Sequence, residues 1–238
     1  MPIALDAVGP PVAAHVATEV PVTLDAYAAI ESQYVYRGVA LRDDPTASFA
    51  VTTGSASGVF ADAWASYADG EATNAYAGPH HHEWNLDLSA GYGASLDVSW
   101  RWALAIARVI DVGNGDSESR DYSEWRGNLF YREIARAQIA YASDYEQRGW
   151  SSWNAELAGA YPLTDALSGE WGIGHSHGAG REDNDYDYGW LGVNGSWLHT
   201  QWDARWIDTG HGARYVVDSD RAGSRFVVSL SWSLRVLP

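Results

Sequence analysis

The chain contains no cysteine, and its 15 basic residues are all arginine, so lysine is absent too. The first absence excludes disulfides, thiol catalysis and cysteine-based zinc sites. There is also no apolar run approaching the roughly 18 residues that a spanning helix requires, and the mean hydropathy is -0.28, which excludes a helical membrane protein. A basic face is missing: 31 acidic residues against 15 arginines give a formal net charge of -16. Such a chain repels phosphate backbones, so nucleic acid is not an expected partner. The all-arginine basic complement has two readings, genomic base composition or bidentate pairing with carboxylates in a partly dehydrated interior. Phenylalanine is scarce, with 4 residues beside 13 tryptophans and 14 tyrosines. Rings with a polar handle suit a boundary between phases, as in the aromatic girdles of membrane barrels.

What is present is alternation with a period of two. In 83–92, Trp84, Leu86, Leu88, Ala90 and Tyr92 share one face, and Glu83, Asn85, Asp87, Ser89 and Gly91 share the other. Alternate side chains of a strand point to opposite faces, so this segment has an apolar side and a hydrogen-bonding side. The same pattern, read with turn residues, predicts strands at 22–36, 46–53, 58–68, 83–93, 95–108, 121–131, 134–143, 151–162, 167–176, 186–197, 198–208 and 224–236. Most approach the roughly 9 to 11 residues of a tilted membrane-crossing strand.

Connection lengths alternate as well. Tight turns near 54–58, 92–95, 131–134 and 197–198, with an intermediate connection at 162–167 that belongs to the short set by order, are interleaved with longer polar loops at 37–45, 68–82, 110–120, 143–150, 177–185 and 208–223. In an up-and-down barrel this places every long loop at one mouth and both termini at the other, the asymmetry of outer-membrane barrels. A soluble lipocalin-like barrel would place the apolar face inside instead. The length of the strands, the aromatics near their ends and the recurrence of Trp, Leu and Val on one face favour the membrane arrangement. The fold class expected is all-β, a single antiparallel up-and-down transmembrane β-barrel of about 12 strands over 22–238. Residues 1–21 are expected to be a flexible segment or the remnant of an export region.

The polar parity gives the candidate pore-lining set. Its acids are Asp25, Glu31, Asp87, Asp97, Glu124, Glu156, Glu170 and Asp203, and its bases are Arg37, Arg101, Arg126, Arg136, Arg205, Arg225 and Arg235. Two readings follow: a charged conduit that screens solutes, or ion pairs that fill a narrow interior. Acids in the long loops (Asp43, Asp44, Asp111, Asp116, Glu118, Glu182, Asp183, Asp185, Asp218, Asp220) would favour cations at that mouth. His80, His81 and His82 share a loop, with His175, His177 and His211 at the same end; imidazoles brought together bind Zn or Cu, although consecutive histidines diverge, and solvated loop histidines are the expectation. His175 with Ser176 and His199 with Thr200 point to opposite faces of a strand, which argues against a hydrolytic dyad. The acidic stretch 181–188 lacks the spacing and glycine of a calcium loop. No catalytic residue, metal site or cofactor is expected.

Several stretches resemble the TorF-type porin family. YVYRGVALRDDP (34–45) is similar to that family's tyrosine-phenylalanine-arginine-glycine stretch with its acidic loop and proline, and GVFADAWASYAD (58–69) to its glycine-aromatic-tryptophan strand. Looser matches are WNLDLSAGY (84–92), SDYEQRGWSSWNAELAGAYPL (143–163) and RFVVSLSWSL (225–234). Departures are the lack of a clear signal sequence and an ending in Val236, Leu237 and Pro238 where many such barrels carry a terminal aromatic for assembly. The resemblance implies an outer-membrane barrel that conducts small solutes, with outer-membrane lipids and the barrel-assembly machinery as partners. The function expected is passive diffusion of small polar or charged solutes. The alternatives are a structural or adhesive barrel acting through its acidic loops and a membrane-embedded hydrolase.

Overall fold

The computed structural model describes residues 22–42, 44–70, 81–112, 121–132, 134–147, 149–179, 185–210, 213 and 222–237. The N-terminal segment 1–21 therefore lies outside the described residues. Twelve strands follow one another around a closed antiparallel barrel: β1 (Val22–Glu31), β4 (Thr46–Ser55), β5 (Val59–Gly70), β6 (His81–Ser95), β7 (Trp100–Val112), β8 (Tyr122–Tyr131), β9 (Ala135–Ala142), β10 (Ser151–Pro162), β11 (Leu167–Ala179), β12 (Tyr186–Trp197), β13 (Thr200–Thr209) and β14 (Arg225–Leu237). β14 closes on β1, with Ala28 opposite Trp232 and Ile30 opposite Leu230. Closure satisfies the backbone donors and acceptors of every wall strand and leaves no edge, the condition for a sheet to sit in lipid. Among the described residues no helix is long and apolar enough to cross a membrane.

Parity is resolved by burial. On β7 the outward Leu104 and Ile106 are exposed while the inward Ala103, Ala105 and Ala107 are buried. On β8 Trp125 and Leu129 are exposed while Glu124, Arg126 and Asn128 are buried. The charged residues are inside and the large apolar ones outside, the reverse of a soluble barrel, so the outer wall requires a hydrocarbon solvent. Aromatics gather towards both rims of that wall. Tyr92 and Trp102 (ring centroids 5.8 Å apart) and Trp100 and Tyr131 (4.7 Å) stand at the short-turn end, and Tyr67 with Trp84 (4.9 Å) stands at the long-loop end.

Two expectations about boundaries are corrected. The first strand does not run to residue 36: it ends at Glu31, and β2 (Tyr34–Tyr36) and β3 (Val39–Arg42) form a separate two-stranded sheet between β1 and β4. The fifth predicted strand begins at Trp100, not at 95, because Asp97 Oδ1 accepts the amides of Ser99 (2.6 Å) and Trp100 (2.9 Å) and holds a turn. Local side-chain bonding by aspartate competes with strand pairing in this way.

Candidate functional site

The interior of the barrel is the candidate site, and its charges are arranged in three groups. In the first, Arg126 on β8 donates to both oxygens of Asp87 on β6, Nη1 to Oδ1 at 3.1 Å and Nη2 to Oδ2 at 2.5 Å. Its Nε donates to Glu124 at 2.8 Å. In the second, Arg136 on β9 donates to Glu156 on β10 at 2.6 Å, and the other oxygen of Glu156 accepts the Tyr188 hydroxyl from β12 at 2.9 Å. In the third, Arg205 on β13 donates to Glu170 on β11 at 2.5 Å and lies 3.1 Å from Asp203, whose second oxygen accepts the Ser229 hydroxyl. Asn194 completes the Glu170 shell at 2.9 Å. All of these carboxylates and guanidiniums are buried.

One contact in each group passes over an entire strand, and small residues make room for it. Arg126 reaches Asp87 across β7, where Ala105 is the partner of Arg126 and Ala107 the partner of Glu124. Tyr188 and Glu156 both have Gly174 as their register partner, and a Cβ there would lie 2.1 Å from Tyr188 Cζ. Arg205 and Glu170 likewise share Gly192, where a Cβ would lie 2.8 Å from Glu170 Oε1, from Arg205 Cγ and from the Ala204 carbonyl. The inward alanines and glycines are thus the stepping places over which long polar side chains lie flat against the wall.

The space left in the middle is occupied by the β2–β3 hairpin. Its tip is Arg37-Gly38, with φ of 50° and 79°, the pattern of the I′ turn that joins tightly twisted strands. Gly38 is required there both by its positive φ and by proximity, since a Cβ would lie 2.4 Å from Tyr188 Cβ. Arg37 donates to Glu124, which lies on β8, far around the barrel from the hairpin's attachment. The guanidinium also sits over the Tyr36 ring, 4.7 Å from its centroid. Burial works against the Arg37 charge, but Glu124 together with Tyr36, Tyr122 and Tyr145 outweighs it and raises the guanidinium above its usual value, so it stays protonated. Burial pushes the Tyr34 hydroxyl well up, with the neighbouring Tyr36 adding to the effect, so this phenol stays neutral. Val35 and Ala40 share a buried cluster with Ala158, Tyr188, Trp190, Ile207 and Val227, and Tyr34 packs in another with Ala50 and Trp64.

The remaining predicted residues lie nearer the rims. Glu31 faces inward, half-buried, within the field of Arg205 and Asp203. Asp25 pairs with the exposed Arg235 at 3.0 Å at the short-turn end. Arg101 is half-buried over the Phe130 ring, 5.6 Å from its centroid, and Arg225 is half-buried at the start of β14. Asp97 is a correction: it is exposed on the turn 96–99, where its carboxylate is used by backbone amides, and it does not face the lumen. Of the loop acids, Asp44, Asp111 and Asp185 are among the described residues, and the others are not.

His175 and His177 are on the outer face of β11. They flank Trp153 at 5.1 and 5.6 Å, and each is braced by an aspartate, His175 by Asp187 at 2.8 Å and His177 by Asp185 at 2.6 Å. Ser176 is buried on the opposite side of the wall. Among the described residues no three potential metal ligands come together. His80 and His211, with the side chains of His81 and His82, lie outside the described residues. The sequence reading missed the strand-crossing contact of Tyr188 and the contacts that Asn194 and Ser229 make to carboxylates on the adjacent strand, which no local pattern marks.

These features define a transmembrane β-barrel with a charged, partly occupied interior. The chain belongs to the family described as a bacterial protein of unknown function (Gcw_chp), whose model matches residues 15–234. Among solved structures it is similar in fold to an outer-membrane channel from Pseudomonas putida F1, with a TM-score of 0.54 and 12% identity over 96% of this chain and 100% of that one. It is also similar to the KdgM porin, with a TM-score of 0.53 and 8% identity over 89% of this chain and 99% of that one. Comparison with curated proteins finds no match.

Proposed function

We propose that the protein is an outer-membrane porin-like channel for passive diffusion of small polar or charged solutes. The observation that carries this reading is the inverted wall, apolar towards lipid and lined inside by interleaved arginines and carboxylates. Charges of both signs fixed on the walls impose a transverse field, which admits hydrated polar solutes and disfavours apolar ones. The motif likeness to TorF-type porins and the fold shared with bacterial channels support it. Its partners are then the lipids around the outer wall, the solutes within and the machinery that assembles such barrels, and it has no catalytic step.

The test is single-channel recording of the refolded protein in a planar bilayer under a salt gradient. Discrete current steps with a defined reversal potential are the expected result. Stable insertion without current in any form of the barrel would overturn the reading.

A further inference from the structure

We propose that the β2–β3 hairpin is a displaceable plug that sets the open width of the conduit, and that the Arg37–Glu124 ion pair is its latch. This inference rests on the pore reading above and concerns how the pore is regulated. Four observations carry it.

First, the hairpin crosses the lumen. Its base leaves the wall between β1 and β4, Tyr34 packs with β4 and β5 residues, Arg37 reaches β8, and Val35 and Ala40 cluster with residues of β10, β12, β13 and β14. A segment that packs or pairs with residues of seven of the twelve wall strands spans the lumen.

Second, it belongs to no wall strand. β2 and β3 form their own two-stranded sheet, and such a hairpin is marginal without support. The barrel does not need it for closure, since β1 pairs with β4 directly over ten residue positions.

Third, the base is built as a fixed pivot. The Ser32 amide donates to the Val228 carbonyl at 2.9 Å and the Val228 amide to Ser32 Oγ at 3.0 Å, so the ribbon is anchored where it leaves the wall. Among the described residues, the stretch beyond this anchor is held by side-chain packing, a hydrogen bond between Tyr36 and Tyr122, and the Arg37–Glu124 ion pair.

Fourth, the latch is separable from the wall. Glu124 is shared between Arg37 and Arg126, and Arg126 is independently fixed by Asp87. Losing Arg37 therefore leaves Glu124 still paired with the wall, whereas losing Glu124 leaves Arg37 buried without its carboxylate. Arg37 also sits at φ 50°, where a non-glycine residue is disfavoured. Its contacts hold it in a conformation that it would leave on release.

The experiment compares single-channel records of the wild type, Arg37→Ala, the charge-keeping Arg37→Lys, and a barrel in which 33–43 are replaced by a short Gly-Ser link. A fifth protein carries Val39→Cys with Ala222→Cys, two positions that pack in one buried cluster in a chain with no native cysteine. Folding of each is checked by heat-modifiable gel migration. The expected result is a mean conductance at least twofold higher for Arg37→Ala, a larger rise for the hairpin-less barrel, a value nearer wild type for Arg37→Lys, and a low state in the oxidised double-cysteine protein that reductant relieves. Equal conductance in a conducting wild type and the folded hairpin-less barrel would overturn the plug and leave the pore reading standing. No current from any inserted variant, the hairpin-less barrel included, would overturn both.

Discussion

At the scale of single residues, the value of a charge depends on what its partner becomes when it is removed. Arg126→Met leaves Asp87 buried without its bidentate donor, and breaking a buried pair from one side costs about 3–5 kcal/mol. Arg235→Ala removes an exposed partner of Asp25, where about 0–1 kcal/mol is expected. Urea unfolding of the refolded barrel in lipid vesicles separates the two, and equal losses would mean that the interior is as wet as the rim. A glycine tests the same wall from the other side. Gly192→Val would place side-chain atoms where Arg205 passes to Glu170 and against the Ala204 carbonyl, which cannot move without its strand. The expected loss is about 1–3 kcal/mol, against a smaller effect at Gly169, where a Cβ would meet Leu163 at 3.6 Å in ordinary van der Waals contact.

At the scale of elements, the strands were legible because lipid on one side and polar groups on the other force a period of two that nothing else in the chain obscures. The turns were less so. Alternation continues through Leu96 and Val98, and only the carboxylate of Asp97 bonding two amides breaks the strand there. Likewise Tyr34, Val35 and Tyr36 continue the pattern of β1, yet the chain leaves the wall at Ser32 because the lumen has room for it, a fact set by strands far away in sequence. The local signal for the hairpin was Arg37-Gly38 between two apolar triplets, a turn candidate whose arginine is an uncommon choice. Of the candidate site, the buried charges were readable by parity, whereas their connections were not, because Arg126–Asp87, Tyr188–Glu156 and Arg205–Glu170 each skip a strand. The hairpin also offers a direct check. Gly38→Val meets Tyr188 and carries a disfavoured φ, so the tip should be expelled and trypsin should cut after Arg37 in the variant but not in the wild type. Equal resistance in both would show that the tip tolerates a side chain where it lies.

At the scale of the whole molecule, the exterior is matched to hydrocarbon and the depth of a residue should govern its tolerance. Ile106 lies mid-strand on the lipid face of β7, and Leu198 is in a rim turn. Ile106→Arg is expected to destabilise the barrel by about 2–4 kcal/mol, and Leu198→Arg by about 0–1 kcal/mol. Unfolding titrations in vesicles measure both; equal penalties would contradict the membrane position assigned to the wall.

The contacts that leap over a strand have a mechanical consequence. Backbone ladders alone let neighbouring strands slide by two residues and re-form every bond. A guanidinium or phenol fastened two strands away turns three strands into a braced triangle, since any such slide must stretch the diagonal. With braces over β7, β11 and β12, the stagger that fixes the barrel's tilt and girth is written in side chains as well as in the backbone. A wall triangulated in this way keeps its diameter whichever position the ribbon inside it takes.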